Sequence, residues 1–343
     1  MYGAKAFTRL TAVGSVIAAG ALAAGALSPT ADARPTASHE PALAVTGFHS
    51  EGDPLSRIRA SAPALTTVGV DGVNIAANGK QVGAPDRLAR KALSVAHHQQ
   101  LRAEFLIGNF ARSDFAERRA HKMLTTPADI AAVSDAVAHS VKRQGWDGAS
   151  VDLEALRKRD QKGLVRFLAA IRRKLPPAAT LSICISNSVT AAEYHNRGYD
   201  LKGIAAHVDR VILMAYDEHG SWENHPGPVG DIAWQKRGLE AMEKAGVPAA
   251  RLDLGQAGYG YAWRPHENVA VSDAKARRLV TRTGGRSHFD ASVGEWVGHL
   301  PDGSTLWWAD SRSYAKRARL AIRRHLHGLA VWSLGLSDPL RRF

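Results

Sequence analysis

Residues 146–156 read WDGASVDLEAL. Two acids, Asp152 and Glu154, stand one residue apart inside an otherwise apolar run. Alternate residues of a strand face the same way. Ser150, Asp152 and Glu154 therefore share one side, and Val151 and Leu153 take the other. From a rise of about 3.3 Å per residue, the two carboxylates would sit roughly 7 Å apart at the backbone. An exposed edge strand would need an antiparallel neighbour and a hairpin turn. This run has helical patterns on both sides instead.

The preceding pattern is TPADIAAVSDAVAHSVKRQG (126–145). Thr126 is placed as an N-cap, Pro127 at the first helical position, and Asp129 near the positive end of the helix. Ile130, Val133, Val137 and Val141 recur on one helical face, and Gly145 can end the helix. The following pattern, LVRFLAAIRRKLPP (164–177), repeats the design with Leu164, Leu168, Ile171 and Leu175 before Pro176. Further helices are read at WQKRGLEAMEKAGVP (234–248) and SRSYAKRARLAIRRH (311–325).

Strand-like runs fall at 42–48, 65–70, 104–110, 148–153, 180–186, 209–216, 251–260 and 328–335. Eight strands alternating with helices predict an α/β chain, a closed (β/α)8 TIM barrel. A doubly wound open sheet is the alternative. It would carry a glycine-rich phosphate turn after its first strand, and TGFHSEGD (46–53) is not one. The gap from Trp263 to Gly328 is too long for one helix, and about 264–310 of it read as an insertion. SHFDAS, the turn PDGS and TLWWAD predict a small β-hairpin-containing insertion between strands 7 and 8. In a barrel, Val151 and Leu153 would face the helices. Ser150, Asp152 and Glu154 would face the axis and climb toward the C-terminal mouth, where active sites lie. Two carboxyls in a partly dry pocket do not both ionise cheaply, and the one that stays protonated can serve as a general acid.

The first 33 of the 343 residues read as a signal peptide: basic Lys5 and Arg9, an Ala/Gly-rich apolar stretch to Leu27, then Ala31-Asp32-Ala33. A membrane anchor is the other reading, and the weak hydrophobicity and small-residue cleavage site oppose it. Residues 34–41 read as a linker, and 42–343 as the catalytic domain. No stable membrane span is expected after cleavage. The one cysteine, Cys184, allows no internal disulfide and reads as a small buried hydrophobe. Forty-five Lys and Arg against 32 Asp and Glu give a net charge of +13. On an exported monomer this suits an anionic cell wall. A nucleic-acid partner is not expected, because the basic residues are scattered and no aromatic-interleaved basic block occurs. No H-E-x-x-H, G-x-S-x-G or P-loop motif appears, and no metal or other cofactor is expected. His219 and His225 flank the loop after the sixth strand and read as polar loop residues.

Three segments together resemble glycoside hydrolase family 18, the chitinase-like barrels. WDGASVDLEAL is similar to that family's DGxxxDxE signature. MAYDEHG (214–220) resembles its sixth-strand motif, and VWSLGLSDP (331–339) its eighth-strand Trp segment. The stretch 221–263 looks like the branch of spore cortex-lytic and spore-germination N-acetylglucosaminidases. The likeness runs from about Val45 to the C-terminus. The resemblance implies a retaining, substrate-assisted hydrolase of β-linked N-acetylglucosamine glycans, either peptidoglycan or chitin-type. It makes Glu154 the general acid/base, Asp152 the carboxylate that holds the N-acetyl group, and Tyr216 the hydroxyl on the acetyl oxygen. Asp217, Met214 and Trp332 would line the same subsite, Trp332 as the floor beneath the sugar. Asp147 would be structural. Ser150 departs from the family: many members carry Asp there, as partner to the middle acid. A sugar-binding protein without turnover is the competing reading. Such lectins typically lose the glutamate that this chain retains. A basic, wall-associated scaffold rests on charge alone.

Overall fold

The computed structural model describes residues 43–342. The expected signal peptide and linker lie outside them. Eight parallel strands close into a barrel: β1 (Ala44–His49), β2 (Thr67–Asn74), β3 (Arg102–Gly108), β4 (Gly148–Asp152), β5 (Thr180–Ser186), β6 (Arg210–Met214), β7 (Leu252–Ala257) and β8 (Gly328–Trp332). Each pairs with its sequence neighbours, and β8 returns to β1. All eight expected strands are present. No helix among the described residues is long and apolar enough to cross a membrane.

The helix Pro127–Gln144 ends at Gly145, whose φ of 79° only glycine adopts freely. Thr126 holds the N-cap position, but its hydroxyl makes no bond to the helix. Val133, Val137, Val141, Leu164, Leu168 and Ile171 are buried between helices and barrel wall, as their spacing requires. Val151 and Leu153 join that outer layer. Gly148 opens β4 because a Cβ there would meet the Thr180 carbonyl oxygen at 2.3 Å.

The barrel interior is layered along the axis. Near its N-terminal end, Arg210 of β6 binds Glu104 of β3 at 2.5 Å, Asp253 of β7 at 3.1 Å and the Thr46 hydroxyl at 2.9 Å. Thr180 and Ser182 donate to the two oxygens of Glu104. These side chains come from strands far apart in sequence and meet only when the cylinder closes. Above them lies an apolar layer of Phe48, Leu106, Cys184, Ile212 and Ala330. Cys184 is buried and free, as its alternating context implied.

The insertion is larger than a hairpin. The seventh strand-like run (251–260) breaks at Gly258, and the chain leaves the barrel into a five-stranded antiparallel sheet. The order is Val269–Ser272, Tyr259–Trp263, Thr305–Trp308, Glu295–His299, Arg286–Asp290. Ala262, Leu306 and Trp308 pack on the helix Asp273–Thr283 through Ala276 and Val280. The alternate residues Tyr259, Tyr261 and Trp263 form a second aromatic cluster, against which Tyr216, Trp222, Trp307 and Trp332 pack. One face of the sheet thus makes its own core. The other walls the barrel mouth.

Candidate active site

Glu154 lies two residues past β4. Asn109, fully buried, brackets its peptide: Nδ2 donates to the Glu154 carbonyl at 2.9 Å, and Oδ1 accepts from the Glu154 amide at 3.0 Å. The Tyr199 hydroxyl donates to the Leu153 carbonyl at 3.0 Å. Ala155 then takes a left-handed φ of 57°, uncommon for a residue with a Cβ. The backbone on both sides of Glu154 is therefore fixed, and with it the direction in which its side chain leaves the chain.

Ser186, at the end of β5, donates to Glu154 Oε2 at 2.9 Å. Burial raises the Glu154 pKa to about 7. The Ser186 hydrogen bond pulls against that, and the charge of Asp217 adds to it. Asp152 is also held well above the usual carboxylate range, first by burial, then by Glu154 and Asp71. Its Oδ1 is buried and has no hydrogen-bond partner among the described residues. Ser150 sits below, nearly inaccessible, with Oγ 3.6 Å from Cys184 Sγ. Its hydroxyl does not reach up to Asp152.

Met214 ends β6 in the interior cluster, and Tyr216 and Trp332 pack against that cluster. Trp332 lies 5.4 Å from Phe48 between ring centroids. Burial raises the Tyr216 pKa well above its ordinary value, and the charges of Cys184, Asp152, Asp217 and Glu154 add to the effect. Asp217 adopts φ 61°. Its Oδ1 accepts from Tyr259 at 2.6 Å and Tyr261 at 2.9 Å. Burial lifts its pKa to about 6, and these two hydroxyls restrain the rise. Strand alternation thus carries Asp152, Glu154, Met214, Tyr216 and Trp332 to the C-terminal mouth, with Ser150 beneath, and the left-handed turn at Asp217 brings that acid in beside them. Asp147 stays at the other end of β4, where Oδ2 accepts from the Ala103 amide and bonds His97 Nε2, both at 2.8 Å. His219 pairs with Glu223 at 2.8 Å, and His225 is exposed.

Four features escape the sequence reading. Asp71 adds a further acid to the mouth: it acts on Asp152, and its own pKa is raised by its surroundings. It shares the inward phase of β2 with Gly69, whose absent side chain leaves room for Phe48. The period-two argument that found Asp152 would have found it, had the second strand been carried past Val70. Ser186 completes the inward series Ser182, Cys184, Ser186. Tyr259 and Tyr261 continue a period-two pattern on the insertion. Glu295, also from the insertion, accepts from the Val229 and Gly230 amides at 2.8 and 2.9 Å and pairs with the buried Arg317. Trp263 and Asn268 donate to the Glu223 carbonyl. The loop after β6 is therefore mounted on the insertion.

Glu117, His121 and Asp160 place one donor atom each within 4.8 Å of one another. Those atoms are already used: His121 Nδ1 bonds Asp160 at 2.6 Å, and Glu117 is paired with Arg157 and Arg159.

A closed parallel barrel carrying buried acids and aromatic walls at its C-terminal mouth has the form of an enzyme active site. The chain belongs to the glycosyl hydrolases family 18, whose family model matches residues 58–336. It is 25% identical over 240 residues to the putative sporulation-specific glycosylase YdhD of Bacillus subtilis (strain 168), covering 67% of this chain and 57% of that protein. It is 25% identical over 227 residues to the cortical fragment-lytic enzyme of Bacillus anthracis, covering 59% of this chain and half of the relative. Among solved structures, the chitinase from Chromobacterium violaceum ATCC 12472 superposes with a TM-score of 0.78 at 25% identity, covering 87% of this chain and 96% of that one. The Bacillus cereus spore cortex-lytic enzyme SleL shares the fold, with a TM-score of 0.78 at 19% identity over 87% of this chain and 72% of that one.

Proposed function

We propose that this chain is an exported, monomeric hydrolase of β-linked N-acetylglucosamine glycans, peptidoglycan or chitin-type, working with retention through the substrate's own acetamide. The observation that carries this reading is the pair at the end of β4. Glu154 titrates near neutrality at about 7, beside an Asp152 that keeps a buried, unpartnered oxygen. A buried acceptor without a donor costs roughly 1–3 kcal/mol. An acetamide N–H is a donor of the right kind to relieve that cost.

In the proposed reaction, protonated Glu154 gives its proton to the glycosidic oxygen as the C–O bond breaks. The acetamide oxygen, oriented by the Tyr216 hydroxyl, attacks the anomeric carbon from the opposite face and forms a cyclic oxazolinium ion. Asp152 accepts from the acetamide N–H, which carries part of the positive charge. Glu154, now ionised, takes a proton from water as that water opens the ring, and both group and configuration are restored. Trp332 forms the floor beneath the sugar, and the buried Tyr259, Tyr261 and Trp263 back the mouth behind it. Asp217, fixed by two tyrosines, lines the acetyl subsite. Each proton lost by Glu154 in the first half is regained in the second.

The test combines two readouts. Mass spectrometry of products from purified peptidoglycan and from chitin oligomers should show reducing-end N-acetylglucosamine from at least one of them. Glu154→Gln should lower that release by at least roughly 10² while oligomer binding stays near normal. Saturable oligomer binding by the parent with no products from either polymer would instead favour the lectin reading.

A further inference from the structure

A second site lies outside the barrel mouth. The helix Ser311–Arg323, the start of the helix Ile232–Lys244 and the insertion's outer turn enclose a groove of about 490 Å³. Its lining holds Lys236, Arg312, Lys316, Arg319 and Arg323. Four of these recur at intervals of 4, 3 and 4 and so form one row along a single helix face. Over eleven residues at 1.5 Å each, the row is about 16 Å long. The opposite face of that helix uses Arg317 differently, burying it against Glu295.

No ion pair among the described residues engages any of the five lining cations. Arg324, next along the chain, shows that acids are within reach of this surface, since it pairs with Glu243 at 2.8 Å. In the adjoining turn, Asp290 is an ionised carboxylate whose Oδ1 accepts from the Ser292 amide and hydroxyl and the Val293 amide, and it pairs with none of the lining cations. Lys316 donates to the Ala291 carbonyl. Its pKa is lowered by burial and by Arg317, Lys236, Arg319 and Arg323. Like charges at this spacing repel one another and disfavour the helix. An aligned row of cations with no carboxylate partner, set in a groove, is the arrangement a linear polyanion would stabilise.

We infer that this groove binds a linear phosphodiester polymer of the polyol-phosphate type, and so tethers the enzyme to a phosphate-bearing wall. Arginine forks match phosphate oxygens bidentately, and three of the four cations in the row are arginines. Phe289 is the one aromatic ring in the lining, and the guanidinium of Arg312 already covers a face of it at 4.1 Å from its centroid, which leaves little platform for stacking nucleobases. This separates a polymer without bases from a nucleic acid. The inference does not depend on the reaction at the mouth.

The experiment uses the full chain and fluorescently labelled poly(glycerol phosphate), with affinity measured across a salt series. Arg319→Gln combined with Arg323→Gln should weaken binding at least tenfold and flatten the log–log salt slope by about 1.4, at about 0.7 for each phosphate left without its arginine. Arg87→Gln combined with Lys91→Gln removes the same charge from an exposed helix elsewhere and should change affinity less than twofold. Lys236→Gln, on the neighbouring helix, should weaken binding about threefold on its own. Turnover of a small soluble substrate should be unchanged in all three. Equal losses in the groove and control variants would show that net charge alone binds, and would overturn the site. Unchanged affinity in the groove variants would do the same. Tighter binding of single-stranded DNA, or equal binding of polygalacturonate at matched charge, would overturn the ligand class.

Discussion

The raised Glu154 pKa makes that side chain a load on the fold at alkaline pH, and the load can be measured. The perturbation is Glu154→Gln, which keeps the shape and an oxygen for Ser186 but cannot ionise. Below about 4.5, the ordinary value, Glu154 is protonated in both folded and unfolded chains and contributes nothing. Its folded pKa is raised to about 7. As pH rises through that window the unfolded chain loses its proton first, and stability falls until the folded value is passed. Moving a carboxyl from 4.5 to about 7 corresponds to about 3 kcal/mol, or about 2–3 once partial solvent access at the rim is allowed for. Urea unfolding at pH 4.5 and pH 8 measures it. Glu154→Gln should stabilise the protein by about 2–3 kcal/mol more at pH 8 than at pH 4.5. The difference between the two pH values cancels packing changes common to both. An equal effect at the two values, or a larger gain at pH 4.5, would refute the claim that burial holds this proton.

Three other perturbations test the supporting parts. Ser186→Ala removes the hydrogen bond that lowers the Glu154 pKa, so the alkaline limb of kcat/KM against pH should move up by about one unit; an unmoved limb would place Ser186 outside the acid's environment. Tyr259→Phe with Tyr261→Phe strips both donors from Asp217, whose pKa should rise above about 6 in a carboxyl-carbon NMR titration, at a stability loss of about 1–3 kcal/mol; an unchanged titration would contradict the clamp. Arg210→Met leaves Glu104 and Asp253 buried without their cation and should lower unfolding free energy by about 3–5 kcal/mol in urea, and a loss below about 1 kcal/mol would show the network to be wet.

The barrel was legible because its signals are local. Each strand is a short apolar run between helices with visible ends, such as Pro127 and Gly145. Period two then separates Val151 and Leu153, which face helices, from Asp152 and Glu154, which face the axis. The same rule does not reach Asp71, because the apolar run LTTVGV (65–70) ends at Val70 and Asp71-Gly72 reads locally as a turn. The insertion was less legible. SHFDAS and TLWWAD mark two of its strands, whereas Val269–Ser272 and Glu295–His299 are only four and five residues long and carry too short a pattern to read. Tyr259 reads locally as the end of the seventh strand-like run (251–260), but the chain turns out of the barrel at Gly258 and carries Tyr259 and Tyr261 into the insertion. The Glu104–Arg210–Asp253 network and the Glu295 clamp join residues 43 to 106 positions apart, and 65 or more for the clamp's amides. Sequence spacing gives no warning of such contacts.

The reading stands or falls on whether the sugar supplies its own nucleophile. The direct measurement compares two aryl β-glycosides that differ at one group, the acetamide of N-acetylglucosamine and the free amine of glucosamine, assayed with the same enzyme. The structure predicts release of the aryl group with retained configuration from the acetamide compound and none above background from the amine. Comparable cleavage of both would contradict the assignment of Asp152, Tyr216 and Glu154 to an acetamide-assisted reaction.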